Sequence, residues 1–536
     1  MRSQMLKSSR LQALLPYLTL LLWSVPLLLF SHEQQSLMAH DEGLYSWRAK
    51  LIVESSNWLK PSIANYGKTP GAYWLIASSF SLFGISEATA RIPSIIAGII
   101  SVILVYEIGT ILLSKRAAWL AAAILSVEFF WFQYSRLAVP DVPMVCMALL
   151  GIWSLLKAER HPKYQGFWSF VAGISLGLGF LIRSYMIFLP AIALLPYLIW
   201  EHRRHRHLTN PMLYLGFVVG FSPTIVWLLN GWLYYDKDTF QELFQFIFRL
   251  SSDESDGNTW PYYFWNVPAK AFPWPFFSLL GIGICLRNLL PPQKLILVFL
   301  PLILFVELSF FSTRLPHYAL ALYPFVALLA GLALDWLARI YENKSPRKWL
   351  PQNLSYAFGG LACLLVLAGV ALYGSFPIPG VKGDAQIQKY GAIALGLGLG
   401  WLMLPVVWIG RYYFGKKFLT ARYWLAAWLV GPWFALAVAG STGLIGDYNP
   451  EIKALMQQPE IATVLQTHPV NWIRGTGKTG VLLCFYTPDL AKQVKQVSEL
   501  QPSSYAWIRS EQLANLSSPY RAIGKVREWQ LIQVLQ

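Results

Sequence analysis

At 536 residues, with 55% hydrophobic, 15% aromatic and only 13% charged residues and a mean hydropathy of +0.44, the chain falls well below the charged fraction of about a quarter that soluble globules carry. A formal net charge of +16 would suit a nucleic-acid binder. The basic residues cluster instead in short loops between apolar runs, which argues against nucleic acid and for a polytopic α-helical membrane protein in contact with membrane lipids.

Apolar runs near the roughly 20-residue length that crosses a bilayer predict spans at 11–30, 88–113, 117–135, 139–156, 166–183, 185–200, 212–230, 272–290, 294–312, 318–340, 354–375, 387–410 and 421–443, about thirteen helices. The first run looks like a signal peptide, but it is long, carries Trp23 and lacks a small-x-small cleavage site, so a retained span is expected. Alternate loops carry the positive charge: Arg2, Lys7 and Arg10; Lys115 and Arg116; Lys157, Arg160 and Lys163; Arg203, Arg204 and Arg206; Arg287 and Lys294; Arg339 to Lys348; Arg411 to Arg422. These loops are predicted to be cytoplasmic, with the N-terminus. The other set holds the Asp41 loop, the turn before Asp141, Arg183, an acidic loop with Asp236, Asp238, Asp253, Glu254 and Asp256, the Arg314 turn and the tail. The predicted organisation is a transmembrane unit over 1–443, with outer loops at 31–87 and 231–271, followed by a soluble extracytoplasmic α/β domain over 444–536. The implied location is an inner membrane, with the active face and tail on the periplasmic side.

Within the tail, 481–486 and 529–535 read as β-like and 489–500 as helical. Gly475-Thr-Gly-Lys-Thr479 looks like the end of a phosphate-binding loop, but the full pattern needs a glycine where Trp472 stands and a helix where a β-like run follows. A hairpin turn is the expected structure there. The four cysteines, Cys146, Cys285, Cys363 and Cys484, suggest neither a disulfide framework nor a cysteine metal site.

The chemistry-bearing stretch is 40–91, with His40-Asp-Glu-Gly-Leu-Tyr45, Lys68-Thr-Pro70 and Ala90-Arg-Ile-Pro-Ser94. Asp41 and Glu42 sit at a membrane edge, where charge is expensive unless it has a use. Asp141, in Ser135-Arg-Leu-Ala-Val-Pro-Asp141, starts another span on the same side, so a second carboxylate reaches the same layer. Lys68, Arg91, Arg136, Arg183 and Arg314 all fall at outer span ends and can partner them. Carboxylates with cations on one outer face suit transfer from a phosphate-linked donor: a carboxylate takes the nucleophile's proton and the cations hold the departing phosphate. Nucleotide sugars are cytosolic, so an outward-facing site points to an isoprenoid-lipid-linked sugar. A lipid or polysaccharide transporter is the reading from another class. It would need ionisable residues gathered near mid-span, whereas Glu107, Glu128 and Glu307 gather no basic partners in the sequence.

The same motifs, with Gly177-Leu-Gly-Phe-Leu-Ile-Arg183, Arg314-Leu-Pro-His-Tyr318 and Leu322-Tyr-Pro324, resemble the integral-membrane C-type glycosyltransferases, in particular bacterial aminoarabinose transferases acting on lipid A and, more broadly, protein O-mannosyltransferases. The resemblance implies that fold, a polyprenyl-phosphate sugar donor and a lipid or protein acceptor. It makes Asp41 the main catalytic carboxylate and Asp141 a second, with Glu42 beside them. Lys68, Arg183, Tyr318 and Arg314 are the implied donor-phosphate contacts, with Tyr45, Arg136 and His317 as further candidates. A divalent metal is also implied, but Gly67 stands where relatives commonly carry a metal-associated glutamate, and Leu44 where they carry arginine. Metal and sugar therefore stay open at this point. Arg136 reads equally as a helix-end anchor, and His40 as a solvated loop residue. His202, His205 and His207 lack useful metal-site spacing and read as lipid-headgroup contacts, and Trp260, Tyr262 and Tyr263 as an interfacial belt.

Overall fold

The computed structural model describes residues 2–30, 35–39, 41–59, 68–235, 245, 259–343, 345–374, 385–473, 477–494, 496–516 and 518–535. His40, Gly67 and the predicted acidic residues Asp236, Asp238, Asp253, Glu254 and Asp256 lie outside them.

Among the described residues ten helices are long and apolar enough to cross a membrane, or twelve if two bent pairs each count as one span: Lys115–Val127 with Phe129–Ser135, bent by 66°, and Tyr262–Lys270 with Trp274–Asn288, bent by 107°. The difference from thirteen lies in the 39-residue run Pro162–Trp200. Helix α8 (Gln165–Arg183) stops at Ser184, which has φ +55°, and α9 (Phe188–Trp200) follows. The ends of α7 (Asp141–Arg160) show where each part goes. Arg183, at the end of α8, pairs with Asp141 at the start of α7, whereas Tyr197, near the end of α9, bonds Glu159 at the far end of α7. The run therefore reverses and makes two passes. No single span could use 39 residues, since a helix of that length would be about 58 Å long against a hydrocarbon core of roughly 30 Å.

The remaining helices that frame the site are α1 (Arg2–Leu29), α2 (Asp41–Ser55), α3 (Gly71–Phe83), α4 (Glu87–Leu112), α5 (Lys115–Val127) and α6 (Phe129–Ser135). The stretch predicted as an outer loop thus contains two helices, α2 and α3. Small residues let the central helices approach: a Cβ at Gly331 of the Tyr323–Glu342 helix would lie 2.6 Å from the Ala117 carbonyl oxygen of α5 and 2.9 Å from Ala121 Cβ, and one at Gly109 of α4 would lie 2.8 Å from Ala118 Cβ.

After the last apolar helix, Ala421–Ser441, the chain forms a small C-terminal domain around a five-stranded sheet, β1 (Val470–Ile473), β2 (Leu490–Val494), β3 (Tyr505–Arg509), β4 (Tyr520–Val526) and β5 (Trp529–Val534), in the order β2-β1-β3-β5-β4. The β1 pairings are parallel and the β5 pairings antiparallel. Two expectations are corrected here. Residues 481–486 belong to a helix, Gly477–Tyr486, and the segment 489–500 holds strand β2 and a single 3₁₀ turn. Of the hairpin turn expected at Gly475 to Thr479, residues 475 and 476 lie outside the described residues and Gly477 to Thr479 open the helix, in which Val481 to Phe485 are buried continuously and have no exposed face to alternate.

That helix packs on α2. A methyl group at Gly43 would meet Leu482 at 2.7 Å, Lys50 Nζ donates to the carbonyl oxygens of Phe485 (3.2 Å) and Thr487, and the Trp47 and Trp472 rings meet edge to face at 5.2 Å. The segment leading into α2 is stapled from below by Arg91 of α4. Its guanidinium donates to both carboxylate oxygens of Glu42 at 2.9 Å and to the carbonyls of Gln35 (3.1 Å), Ser36 (2.9 Å) and Gly446 (3.0 Å). Glu42 also accepts from the amides of Met38 and Ala138, both at 2.8 Å. Both side chains are fully buried.

Arg91→Met leaves the Glu42 carboxylate buried without its cation and should lower the unfolding free energy by about 3–5 kcal/mol. Arg91→Lys restores a charge without the planar fork, so it should fall between. Thermal unfolding of the purified protein in detergent should rank wild type above Arg91→Lys above Arg91→Met; equal stability would show that the staple is not what holds this segment.

Candidate active site

Helix α2 begins at Asp41 and carries Tyr45 and Arg48 four and seven residues on, so all three share one face. Tyr45 stacks on Tyr73 of α3 with ring centroids 5.0 Å apart, and Arg48 Nη1 donates to the Tyr73 hydroxyl at 2.7 Å. Lys68 Nζ lies 5.1 Å from the centre of the Tyr45 ring. Arg183 reaches in from α8, with Nη1 3.5 Å from the Tyr45 hydroxyl and Nη2 3.0 Å from Asp141 Oδ1. Asp41, Asp141, Lys68, Arg48 and Arg183 therefore surround one aromatic pair. His317 and Tyr318 close the other side: their rings meet at 4.8 Å, His317 Nδ1 is 3.4 Å from the Tyr134 hydroxyl, and Tyr318 feels the charges of Arg183, Asp141 and Asp41.

Local chemistry explains how Lys68 is aimed. The buried Thr69 hydroxyl donates to the Phe180 carbonyl and accepts from the Ser184 amide, both at 3.1 Å, so the turn is bonded across the end of α8. Glycine is required at 71 by close approach, because a Cβ there would lie 2.6 Å from the Leu181 carbonyl oxygen. The Lys68-Thr-Pro-Gly sequence thus sets the lysine beside Arg183. Burial pushes the Lys68 ammonium below its usual range, chiefly through lost hydration, and raises the Tyr45 phenol to about 12. An anion in this pocket would restore what the lysine loses.

Other sequence-predicted residues stand elsewhere. Glu42 is consumed by Arg91 and backbone amides. Arg136 is buried, donates to the Phe30 carbonyl and to Gln35 Oε1 (3.1 Å), and lies 5.1 Å from the Phe132 ring centre, which makes it a tie between α1, the 35–39 segment and α6. Arg314 donates to the carbonyls of Ser309 (3.2 Å) and Ser312 (3.4 Å). Its turn is anchored by the Tyr263 hydroxyl on the Leu315 carbonyl at 2.9 Å. Tyr262 and Tyr263 are accordingly buried, against the expected interfacial belt, whereas Trp260 is exposed. Glu107 does find a basic partner, Lys157 at 2.9 Å, together with Tyr17 and Trp153. Sequence reasoning passed over Arg48, although its seven-residue spacing from Asp41 on a helix was a usable signal.

An apolar cleft of about 480 Å³ opens between α3, α4, α7 and α8, lined by Gly71, Pro143, Leu181 and Ile182 among others, immediately beside Arg183. Among the described residues a single trio could hold a metal ion, Glu159 with His205 and His207, and it lies at the end of α7 away from Asp141.

This arrangement of helices, with a strand-bearing C-terminal domain on the helix that starts at the first aspartate, is the fold of the C-type glycosyltransferases, and the chain is a multi-pass membrane protein that resembles the aminoarabinose transferases and O-mannosyltransferases of that class. ArnT from Cupriavidus metallidurans bound to undecaprenyl phosphate superposes with a TM-score of 0.76 over 97% of this chain and 98% of that one, at 16% identity. An Archaeoglobus fulgidus oligosaccharyltransferase superposes with a TM-score of 0.52 over 93% of this chain and 69% of its own, at 12% identity. Residues 67–229 match the family described as dolichyl-phosphate-mannose-protein mannosyltransferase. An undecaprenyl phosphate-α-4-amino-4-deoxy-L-arabinose arabinosyl transferase of Pseudomonas aeruginosa is 26% identical over 64% of this chain and 65% of its own length, and one of Pseudomonas fluorescens is 25% identical over 80% and 73%. The chain spans a little under two thirds of the length of the Pseudomonas aeruginosa relative.

Gly71→Ala should strain the turn that presents Lys68, at a cost of about 1–3 kcal/mol for overpacking. Gly360→Ala, where a Cβ meets nothing within 4 Å, is the matched control and should leave the melting temperature at or above that of wild type. Parallel melting curves check both, and an undisturbed Gly71→Ala would contradict the close approach.

Proposed function

We propose that the chain is an inverting glycosyltransferase that moves a sugar from a polyprenyl-phosphate carrier to a lipid or protein acceptor on the outer face of the membrane. The observation that carries this reading is the gathering of Asp41 and Asp141 with Lys68, Arg48 and Arg183 around Tyr45, beside an apolar cleft. An isoprenoid tail fits the cleft and a lipid phosphate fits the cations. The names of the relatives, which act on an undecaprenyl-phosphate-linked sugar, support the same donor class.

In this mechanism the acceptor's hydroxyl or amine attacks the anomeric carbon as Asp41 takes its proton. The bond from that carbon to the phosphate oxygen breaks, and the electron pair leaves with the lipid phosphate. Lys68, Arg48 and Arg183 stabilise that charge in a pocket of low dielectric. Asp141 holds the Arg183 guanidinium at 3.0 Å and so positions it. Tyr318 and His317 line the phosphate side. We assign Glu42, Arg136 and Arg314 to holding the frame. The divalent ion implied by resemblance does not fit this face: Gly67 offers no side-chain ligand, and Asp141 is engaged by Arg183. No step is routed through one.

We further place the transmembrane unit at 1–443, the C-terminal domain at 444–536, and the Asp41 face and tail on the periplasmic side of the inner membrane, with the N-terminus in the cytoplasm. The packing of the tail on α2 supports a shared side for both, and the basic loops support the sign.

Asp41→Asn keeps the side chain's size but cannot accept the proton, so transfer of labelled sugar from a synthetic lipid-linked donor should fall about 10²–10⁴-fold with donor binding retained. In the same assay Lys68→Ala should weaken donor binding, since a charge-assisted contact contributes on the order of 1.5–3 kcal/mol. Wild-type turnover in Asp41→Asn would sink the base assignment, and unchanged binding in Lys68→Ala the phosphate assignment.

Orientation is checked separately. Reporter fusions after Arg206 and Lys348 should read cytoplasmic, and fusions after Asp256 and at Gln536 external; a cytoplasmic C-terminus would remove the case for a lipid-linked donor.

A further inference from the structure

At the other end of α7, three side chains meet that the transfer reaction does not use. Glu159 Oε1 lies 3.0 Å from His207 Nε2, and Glu159 Oε2 lies 3.1 Å from His205 Nε2. The three potential ligand atoms all fall within 4.8 Å of one another. All three side chains are largely buried, His207 at 2% exposure, His205 at 10% and Glu159 at 13%.

The backbone is bent to make this meeting. His205 ends the short helix His202–His205 and His207 opens a 3₁₀ turn, and on a continuous helix residues two apart would face away from each other. Between them Arg206 adopts the left-handed conformation, φ 50° and ψ 31°, which is uncommon for a residue other than glycine. The reversal brings the two imidazoles nearly parallel, with 21° between planes and centroids 5.6 Å apart. Gln165 Nε2 fixes the loop by donating to the His205 carbonyl at 3.0 Å, and the Tyr197 hydroxyl donates to Glu159 Oε1.

Hydrogen bonding alone does not account for the cluster. His205 Nε2 is buried beside the carboxylate yet makes no hydrogen bond of acceptable geometry, and His207 Nδ1 is buried without a partner. An imidazole nitrogen at 3.1 Å from a carboxylate oxygen, poorly aligned for a proton between them, is placed as a ligand is placed. A four-coordinate ion bound at about 2.0–2.2 Å sets its ligand atoms roughly 3.2–3.6 Å apart; the two N···O contacts here are slightly shorter and the three ligand atoms lie within 4.8 Å of one another, so a small adjustment of side chains would close them on an ion.

We propose that Glu159, His205 and His207 form a site for a Zn²⁺-class divalent transition metal, with the fourth position open to water or to the Tyr197 hydroxyl. Two imidazole nitrogens select against Mg²⁺ and Ca²⁺, which prefer all-oxygen sets. The carboxylate supplies the negative charge that offsets the ion amid Arg203, Arg204 and Arg206. Bound there, the ion ties the end of α7 to the loop that follows α9, and so locks the far end of the apolar cleft of about 380 Å³ lined by α7, α8, α9 and the Pro211–Tyr235 helix. Its role is structural, and it stands apart from the proposed transfer reaction.

The test uses the full chain in lipid nanodiscs, purified without a polyhistidine tag, stripped with chelator and titrated with Zn²⁺ or Co²⁺ alone. The expected result is one ion per chain, a Co²⁺ absorption spectrum of tetrahedral type with nitrogen ligands, and a raised melting temperature. His207→Ala and Glu159→Gln should each weaken binding by more than about 100-fold, whereas His161→Ala, an exposed histidine outside the trio, should bind as wild type. Binding of less than one equivalent by the wild-type chain, a six-coordinate Co²⁺ spectrum, or unchanged affinity in both variants would overturn the site. The wild-type titration and spectrum decide the matter even where a variant does not fold.

Discussion

The structure depends on one buried ion pair. Glu42 and Arg91 are both removed from water, and such a pair is tolerable only when every lone pair and proton finds a partner. Here the partners are many: Glu42 accepts two guanidinium bonds and two backbone amides, and Arg91 also donates to the carbonyls of Gln35, Ser36 and Gly446. Those bonds join the entry to α2, the start of α7 and the segment after the last apolar helix. Two adjacent acids thus divide the labour. Glu42 fixes the chain, and Asp41, one residue earlier, is left at the rim of the pocket in a position the backbone dictates.

The cations divide in the same way. Arg91 and Arg314 turn their guanidinium groups on backbone carbonyls, where planar multidentate donors are best used. Lys68, Arg48 and Arg183 lie against aromatic rings or a single carboxylate and keep donor capacity in hand. The half-buried Lys68 is the most telling of them, since lost hydration already weakens its hold on the proton. An incoming phosphate would reverse that loss, so the pocket is matched to an anion rather than to a neutral sugar alone.

Much of this was legible in the sequence because it rests on composition and spacing. Apolar run length gave the spans, and the Lys68-Thr-Pro-Gly turn and the Asp41-Glu42 pair marked the stretch that the structure brings against Arg183 and Asp141. The gaps have physical causes. The reversal falls where the predicted spans 166–183 and 185–200 meet, beside Arg183, but the positive φ of Ser184 that turns the chain there has no signal in residue type. Residues 481–486 read as a strand because an all-buried helix and an all-buried strand share the same hydrophobic pattern. The partners of Glu42 and Arg136, Arg91 for the one and the Phe30 carbonyl and Gln35 for the other, could not be read from residue type, because which charges meet is decided by tertiary packing. The histidine trio was passed over because its geometry is set by the left-handed Arg206, a feature that no spacing rule contains.

Helix α7 relates the two ends of the molecule. Its first residue, Asp141, positions Arg183 in the pocket, and its penultimate residue, Glu159, meets the two histidines. Twenty residues of helix make a rod of about 30 Å, the thickness of a bilayer's hydrocarbon core. A rod held at both ends by charged groups cannot slide or rotate without breaking one of them, since an axial slip of one residue, about 1.5 Å, would pull Asp141 off Arg183. The position of Arg183 in the pocket is therefore set partly from the opposite end of α7, through the continuous backbone hydrogen-bond ladder of a helix that runs between the two apolar clefts.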